Sequence, residues 1–325
     1  MEALEGDFLE TKEGLIFDVK GDCHPPDRII SFVRYVPDPE GDRKKKGRAF
    51  RKIYDLKERY QFLKKHFPHY IYFDPVFQQT LQGVPHKNLK IVYYPREKLR
   101  ELITHERDAV EESTVQLAQR LNIPTEAVGV SGSVLVELHT PVSDMDLVVY
   151  GKEVSIRAYE HLAALREKGI IKAFNHEKAS EIARFRWGAA PEALVNMEQR
   201  KILHGLFQEK DYFFRLLKTE KQTRNYGDIQ YVPLHKATVK ATVADDANRI
   251  FTPCRYELED SSIEEVSRIV SWRGRFCEQA KKGDPITARG TVEKVLTAAD
   301  EYYHLILGEE GDFLLPHTIE PGDHL

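Results

Sequence analysis

Residues 129–151 read GVSGSVLVELHTPVSDMDLVVYG, and this stretch decides the prediction of the fold. A turn that holds Gly132 and Ser133 is followed, after ten residues, by Asp144 and Asp146 at the head of an apolar run. Because side chains alternate along a β-strand, the two carboxylates project from one face. Adjacent carboxylates repel each other unless a positive charge lies between them, and Mg²⁺ binds such oxygens while keeping water and phosphate as its other ligands. The stretch therefore predicts a metal site at the start of a strand.

The ten-residue spacer favours this prediction over its alternative, a surface turn followed by a strand with a polar end. The spacer has an apolar side that would pack a short helix onto a sheet, formed by Val134, Leu135, Val136 and Leu138. A turn with a glycine and a hydroxyl, especially one that opens a helix, brings backbone N–H groups close to phosphates. We therefore predict phosphate binding at Gly132 and Ser133.

Gly-Ser, a spacer of this length and Asp-x-Asp before an apolar strand together resemble the signature of the polymerase-beta-like nucleotidyltransferase superfamily. The whole chain is also similar to a group of uncharacterised archaeal proteins catalogued as predicted nucleotidyltransferases. The resemblance implies an α+β fold with a nucleotidyltransferase core of mixed sheet and helices. It further implies that Asp144 and Asp146 hold Mg²⁺, with two ions expected when an NTP is bound, and that Gly132 and Ser133 hold the β,γ-phosphates. The expected NTP is ATP.

The superfamily's metal site takes a third acid from a later strand, and two segments can supply it. Asp228 opens an alternating run that ends at Pro233, a layout that resembles the family's third-acid strand. Asp211 likewise precedes an apolar run, and the two segments can form neighbouring antiparallel strands. We predict Asp228 as the third catalytic and metal-binding acid, with Asp211 as the alternative.

A pair of cations beside an indole lies further along the chain, at Arg184, Arg186 and Trp187. Guanidinium groups bind phosphates in a fork-like geometry and indoles stack on bases, so we predict nucleotide binding at Arg184 and Arg186. The alternative is a helix that packs its tryptophan and pairs its arginines with carboxylates.

The segment from Arg43 to Lys52 carries seven cations in ten residues within a Pro-, Gly- and Asp-rich region that we interpret as a loop. Such a loop can bind a phosphate backbone, and it can also be an ordinary solvated loop. We predict nucleic-acid contacts at Arg43, Lys44, Lys45 and Lys46.

The C-terminal third changes character, because short strand-like runs alternate there with polar turns. About five such runs follow Lys236 and predict a small closed β-barrel. Trp272 and Arg273 are candidates for an aromatic and basic face that binds an oligonucleotide. In the alternative, the aromatic residues fill the barrel and the arginines only lie on its outside. The acidic tail after Gly308 is predicted to run along the surface.

Composition bounds these interpretations. At 325 residues the chain is long enough for two or three domains. We predict an N-terminal α/β region with the basic loop (1–95), a catalytic domain (96–235) and the barrel (236–325). The net charge of −4 gives no general basic field for nucleic acid. Three widely separated cysteines without zinc spacing, and the lack of a membrane-length apolar run, predict a cytoplasmic protein without a membrane partner.

The sequence thus predicts a Mg²⁺-dependent nucleotidyltransferase that moves NMP from an NTP to an acceptor hydroxyl and releases pyrophosphate. RNA or another nucleic acid is the expected acceptor, because the basic segment and the barrel face would be superfluous for a small molecule. Two alternatives stay open. One is a non-catalytic nucleic-acid-binding protein that retains the fold, and the other is a transferase that acts on a protein or a small molecule.

Overall fold

The computed structural model describes residues 3–219 and 225–317. The described residues form the helices α1 (Leu56–His66), α2 (Pro95–Thr104), α3 (Ala109–Arg120), α4 (Gly132–Leu135), α5 (Lys152–Glu167), α6 (His176–Trp187) and α7 (Glu192–Arg200). Their strands in the N-terminal half are β1 (Phe8–Thr11), β2 (Ile16–Val19), β3 (Arg28–Pro37), β4 (Arg43–Lys45), β5 (Arg48–Lys52), β6 (Ile71–Asp74), β7 (Gln79–Pro85), β8 (Leu89–Tyr93), β9 (Val128–Val130) and β10 (Met145–Tyr150). The later strands are β11 (His204–Phe207), β12 (Lys210–Leu217), β13 (Ile229–Asn248), β14 (Cys254–Glu259), β15 (Val266–Ser271), β16 (Pro285–Thr297), β17 (Glu301–Leu307) and β18 (Phe313–Pro316). This mixture of helices with several sheets agrees with the predicted α+β class.

The chain divides into two compact units. The first unit holds residues 1–161 and 207–227, and the second holds residues 162–206 and 228–325. This grouping differs from the three predicted domains, because the N-terminal strands share a core with the residues after Gly132. Phe8 and Tyr35 pack in that core against Leu135 and Val136.

An antiparallel sheet occupies the N-terminal part of the first unit, with the strand order β4-β5-β3-β2-β1-β8. The β6–β7 hairpin joins it through β3. Alternation gives β2 two different faces: Phe17 and Val19 belong to the core that also buries Leu63 of α1, whereas Ile16 belongs to the core shared with Leu135. Asp18 therefore shares the face of Ile16 and points away from the α1 core.

β10 lies between β9 and β12 in a second sheet of the first unit. It runs antiparallel to β9 and parallel to β12, with Met145 opposite Tyr212 and Asp146 opposite Phe213. The prediction that the Asp211 and Asp228 segments are neighbouring antiparallel strands is wrong. β12 pairs in parallel with β10. β13 belongs to another sheet, where it pairs with β16 along most of its length.

The second unit contains α6, α7 and a six-stranded sheet. The sheet has the order β13-β14-β15-β17-β16-β18, with an additional pairing of β13 with β16. The predicted surface tail is partly a strand, since β18 pairs with β16 and buries Leu314. Leu315 packs against the α6–α7 core. An isolated antiparallel bridge joins Lys172 to Leu206.

The predicted basic loop is a β-hairpin, formed by β4 and β5. Gly47, with a φ of 78°, and Lys46, with a φ of 48°, turn the chain between the two strands. Glycine adopts this left-handed backbone at no steric cost, which lets the chain reverse tightly enough for the strands to pair. The sequence prediction of a loop rested on the run of cations and did not use this turn signal.

No helix among residues 3–219 and 225–317 is long and apolar enough to cross a membrane.

Candidate active site

Asp144 and Asp146 lie where the motif predicts, Asp144 directly before β10 and Asp146 as its second residue. Met145 between them is buried, whereas both aspartates are partly exposed, so alternation places their carboxylates on one face. Within the described residues, neither carboxylate takes part in a hydrogen bond or an ion pair. Two neighbouring acids without partners are free to bind a cation.

Gly132 faces Asp146 at very short range. It has a φ of 61°, and a Cβ built on it would lie 1.9 Å from Oδ2 of Asp146. That distance is far below any van der Waals contact, so a side chain at this position would displace the carboxylate. The glycine of the motif is therefore required both by the backbone conformation and by the closeness of the acid.

The two serines of the turn have different surroundings. The Ser131 hydroxyl donates to the carbonyl of Gly6 at 2.7 Å, and its amide donates to the carbonyl of Asp146 at 2.8 Å. The Ser133 hydroxyl is buried and has no hydrogen-bond partner in the described part of the chain. An unsatisfied buried hydroxyl is costly, so Ser133 is available to a ligand or to a bound water.

A small polar cavity lies beside Asp146, and the N-terminal sheet forms much of its wall. The charged and polar residues that line it are Asp18, Arg34, Tyr35, Lys52, Ser131, Asp146 and Arg215. β2, β3 and β5 contribute the first four of these, and β12 contributes Arg215. The site is thus built from both sheets of the first unit.

Asp18 and Arg215 are held by an internal network of ion pairs. Lys20 Nζ lies 2.8 Å from Asp18 Oδ2 and 3.0 Å from Glu5, and Arg215 Nη1 lies 3.0 Å from the same glutamate. Burial by itself raises the pKa of Asp18, but the charges of Lys20 and Arg215 outweigh it and keep the pKa below its ordinary value. Oδ1 of Asp18 is buried without a hydrogen-bond partner among the described residues.

Asp146 has the opposite electrostatic character. Burial, together with the negative charge of Asp144, raises its pKa to about 7, although Lys52, Arg215 and Arg34 act to lower it. A carboxylate in this state gains much from a nearby cation, because the cation offsets both the burial and the like charge. Carboxylate oxygens are the ligands that Mg²⁺ prefers, so Asp144 and Asp146 fit this ion.

The two candidates for the third acid occupy different units. Asp211 lies on β12, and extension of the register of β10 with β12 by one residue places it opposite Asp144, on the same face of the sheet. Asp228 precedes β13 and belongs to the second unit. Register thus favours Asp211, and the role of Asp228 stays a prediction.

Arg186 and Trp187 make the contacts expected of the packing alternative. Both hydrogen bond to the buried carboxylate of Glu198, Arg186 at 2.6 Å and Trp187 at 3.1 Å. Arg184 is exposed on α6. All of these residues belong to the second unit, and nucleotide binding by Arg184 and Arg186 stays a prediction.

The four cations predicted to contact nucleic acid are not equivalent. Arg43 is buried and donates to the carbonyl of Leu138 at 2.8 Å, and Lys45 donates to the hydroxyl of Tyr93 at 2.8 Å. Lys44 and Lys46 are exposed. Arg43 and Lys45 therefore hold the hairpin in place, and Lys44 and Lys46 are open to a partner.

The predicted aromatic and basic face of the C-terminal region is likewise divided. Trp272 and Arg273 follow β15 and are partly exposed, as the prediction requires. Phe276 is fully buried, and Arg275 donates to the backbone carbonyl of Arg186 at 2.8 Å. Trp272 and Arg273 remain candidates for contact with nucleic acid, whereas Phe276 is part of the interior and Arg275 is held by its bond to the carbonyl of Arg186.

One other group of metal-ligating side chains is close together among the described residues, namely Asp108, Glu111 and His139, with ligand atoms within 4.8 Å of one another. Asp108 and Glu111 form the capping box that begins α3, and His139 Nε2 lies 2.7 Å from Asp108. These contacts already account for the cluster as a helix cap.

Sequence reasoning missed Asp18 and Arg34, and it counted Lys52 only as one of the seven cations of the basic segment. Asp18 and Arg34 lie on ordinary-looking strands far from the motif, and neither spacing nor composition distinguishes them. The one available signal was Asp18 within the apolar run Ile16–Val19, since a charged residue on a strand that is otherwise buried needs a partner.

The chain is 31% identical over 320 residues to the uncharacterized protein MJ1086 of Methanocaldococcus jannaschii, and the match covers 93% of this chain and 94% of that protein. It therefore belongs to the family of that protein. No model of a protein family matches the chain, and no solved structure matches it with significance.

Proposed function

We propose that the first unit is a Mg²⁺-dependent nucleotidyltransferase that moves NMP from an NTP, with ATP as the expected donor, to an acceptor hydroxyl. The observation that carries the proposal is the pair Asp144 and Asp146. They share one face of the β10 strand and form no hydrogen bond or ion pair in the described chain, and Asp146 lies against a glycine that leaves room for no side chain. A strand end that is merely solvated would need neither a glycine this close to Asp146 nor the burial of that carboxylate.

The residues of the site would have distinct roles in this reaction. Asp144 and Asp146 would hold Mg²⁺, and Ser133 together with the amides of its turn would contact the phosphates. Bound Mg²⁺ supplies the positive charge that neutralises the phosphates and the leaving pyrophosphate. An acceptor oxygen forms a bond to the α-phosphorus, the bond to the bridging oxygen breaks, and pyrophosphate leaves. The hydroxyl proton passes to a carboxylate, for which the register favours Asp211 over Asp228.

We propose RNA as the acceptor, and the sheet of the second unit supports this choice. β13 pairs with both β14 and β16, and the pairings through β15 and β17 return to β16, which supports a small closed barrel. Small barrels of this kind bind oligonucleotides through aromatic and basic residues. Trp272 and Arg273 are partly exposed beside β15 and suit this role. We place the protein in the cytoplasm, in agreement with its cysteine usage.

A transfer assay tests the proposal. The purified chain is incubated with each α-labelled NTP, Mg²⁺ and cellular RNA, and both labelled product and pyrophosphate are measured. We expect Asp144→Asn and Asp146→Asn to abolish transfer while the protein stays folded, since each change also relieves a like-charge repulsion. The matched control is Asp42→Asn, because Asp42 is 69% exposed and has only a loose ion pair at 3.7 Å.

The same assay separates the alternatives. Asp211→Asn should lower turnover more than Asp228→Asn, and the reverse order would return the third acid to Asp228. Retention of wild-type turnover by Asp146→Asn would place the metal site elsewhere. RNA binding without pyrophosphate release, with RNA, protein or small-molecule acceptors alike, would establish the non-catalytic alternative.

A further inference from the structure

The cavity beside Asp146 has a charge imbalance on the wall that the N-terminal sheet supplies. The cations that line the cavity are Arg34 and Lys52 on this wall and Arg215 on β12. Arg215 is paired with Glu5 at 3.0 Å. Among residues 3–219 and 225–317, neither Arg34 nor Lys52 has a carboxylate partner. Two cations without an ion-pair partner thus line the same cavity as Asp146.

The backbone places these cations there by a specific irregularity. Ile16 of β2 lies opposite Tyr35, but Phe17 lies opposite Val33, so Arg34 is an extra residue in β3. Such a bulge changes the direction of side chains and lets both Arg34 and Tyr35 line the cavity. Lys52 lies beside these two residues in the sheet, because it is opposite Tyr35 in the register of β3 with β5.

Both cations lie near the same exposed aromatic ring. The guanidinium carbon of Arg34 lies 5.4 Å from the ring centre of Tyr54, and Nζ of Lys52 lies 4.7 Å from it. Tyr54 is 52% exposed. Attraction to the ring face offsets part of the repulsion between two like charges, so Tyr54 is a positioning residue for both.

We propose that Arg34 and Lys52, brought together on the N-terminal sheet, bind the β- and γ-phosphates of the nucleotide that Asp144 and Asp146 engage through Mg²⁺. The ligand class is therefore a nucleoside triphosphate and not a monophosphate. The inference rests on the proposed function for the nature of the ligand. A guanidinium and an ammonium provide both fork-like and point-charge contacts to phosphate oxygens. The polyphosphate would then lie between the motif strand β10 and the strands β3 and β5.

Binding measured by calorimetry tests this without any need for turnover. The wild-type chain is titrated with Mg²⁺-ATP, with AMP and, in the presence of EDTA, with inorganic triphosphate. We expect ATP to bind at least about tenfold more tightly than AMP, and Arg34→Gln and Lys52→Gln each to raise the Kd for ATP and for triphosphate about tenfold. The Kd for AMP should stay nearly constant.

Two exposed cations of the same unit provide matched controls. Arg100→Gln on α2 and Lys64→Gln on α1 remove the same charges outside the cavity and should leave every Kd unchanged. Tyr54→Phe should retain binding, whereas Tyr54→Ala should weaken the binding of ATP and of triphosphate together. Thermal unfolding of each variant checks its fold, and Arg34→Lys and Lys52→Arg should bind ATP more tightly than the glutamine variants.

Several results would overturn the inference. They are equal affinities for ATP and AMP, a double variant Arg34→Gln/Lys52→Gln with wild-type affinity for triphosphate, and no binding of ATP or triphosphate by the wild-type chain. If the double variant binds normally while transfer is observed, only this inference fails. If triphosphate binding depends on the two cations but no acceptor is modified, the phosphate site stands and the proposed transfer fails.

Discussion

At the scale of single residues, the candidate site depends on what is left without a partner. The carboxylates of Asp144 and Asp146 and the cations of Arg34 and Lys52 form no ion pair within the described chain, although Lys52 and Arg34 act on Asp146 through their charges. Isolated charges in a partly buried position cost free energy unless something neutralises them. A ligand that carries both a metal ion and phosphates satisfies all four at once. Gly132 sets the spacing of the site, because the absence of a side chain there lets the turn approach Asp146 closely.

Gly132→Ala is expected to disable the site. The new Cβ would lie 1.9 Å from Oδ2 of Asp146, so the carboxylate or the turn must move, and a displacement of this order costs about a hundredfold in turnover. The matched control is Gly47→Ala, which has a similar φ of 78° but no atom within 4 Å of its new Cβ. That control should lose only roughly 1–2 kcal/mol of stability from the left-handed backbone. Transfer assays and thermal melts distinguish the two, and equal activity of both variants would contradict the steric argument.

At the scale of elements, the β4–β5 hairpin shows how a charged segment divides its residues between two tasks. Alternation along β4 turns Arg43 and Lys45 toward the unit and Lys44 toward solvent. Arg43 then hydrogen bonds to the carbonyl that ends the apolar part of the spacer, at Leu138. Composition alone predicts one basic surface, whereas pairing of the strands makes half of these cations structural.

The two tasks can be separated by substitution. Arg43→Ala should lower stability by about 1–3 kcal/mol, because the carbonyl of Leu138 loses its donor inside the protein. Lys44→Ala with Lys46→Ala should leave the melting temperature nearly unchanged. If the hairpin contacts single-stranded RNA, this pair should reduce the salt dependence of binding by roughly 1.4 units, at about 0.7 per phosphate. An unchanged slope in RNA titrations over a range of salt concentrations would remove the hairpin from the RNA site.

At the scale of the whole molecule, both units are assembled from segments that are distant in sequence. In the second unit, residues 186–204 interlock with residues 275–279. The centre of this packing is Glu198, which is fully buried and receives Arg186, Trp187 and Lys201. A buried carboxylate with this many donors ties the helices to the C-terminal strands, so the stability of the unit depends on its charge.

Acid should therefore weaken the second unit. Burial raises the pKa of Glu198, but Lys201 and Arg186 outweigh it and lower the pKa from 4.5 to about 2. Burial and the charge of Arg186 lower the pKa of His204 from 6.5 to about 3. In both cases the unfolded chain binds the proton more readily, so stability is complete above pH 6.5 and declines as the pH falls toward these lower values. Thermal melts between pH 7 and pH 3 should show this decline, through His204 below pH 6.5 and through Glu198 as well below pH 4.5.

Glu198→Gln tests the part that Glu198 plays in the stability of this unit. At pH 7 the variant should lose about 3–5 kcal/mol, since Arg186 and Lys201 keep their charges without a partner. The control is Glu192→Gln, whose ion pair with His176 joins side chains that are 62% and 64% exposed, and which should change stability by no more than about 0.5 kcal/mol. A Glu198→Gln variant as stable as the wild type at pH 7, or a wild type whose stability stays constant as the pH falls from 4.5 to 3, would contradict the assigned role.

The sequence by itself determined the parts of the site that lie within one short stretch. Alternation along β10 fixes that Asp144 and Asp146 share a face, and the apolar spacer fixes the short helix α4 after Gly132. Only the tertiary structure decided that Asp18, Arg34 and Lys52 line a cavity with Asp146 and that Arg43 and Lys45 point inward. The physical reason is that periodicity records which side of an element is apolar, but not which distant strand pairs with it or where a bulge shifts the register. Those choices follow from the packing of Phe8, Tyr35 and Leu135 in one core, which no local pattern encodes.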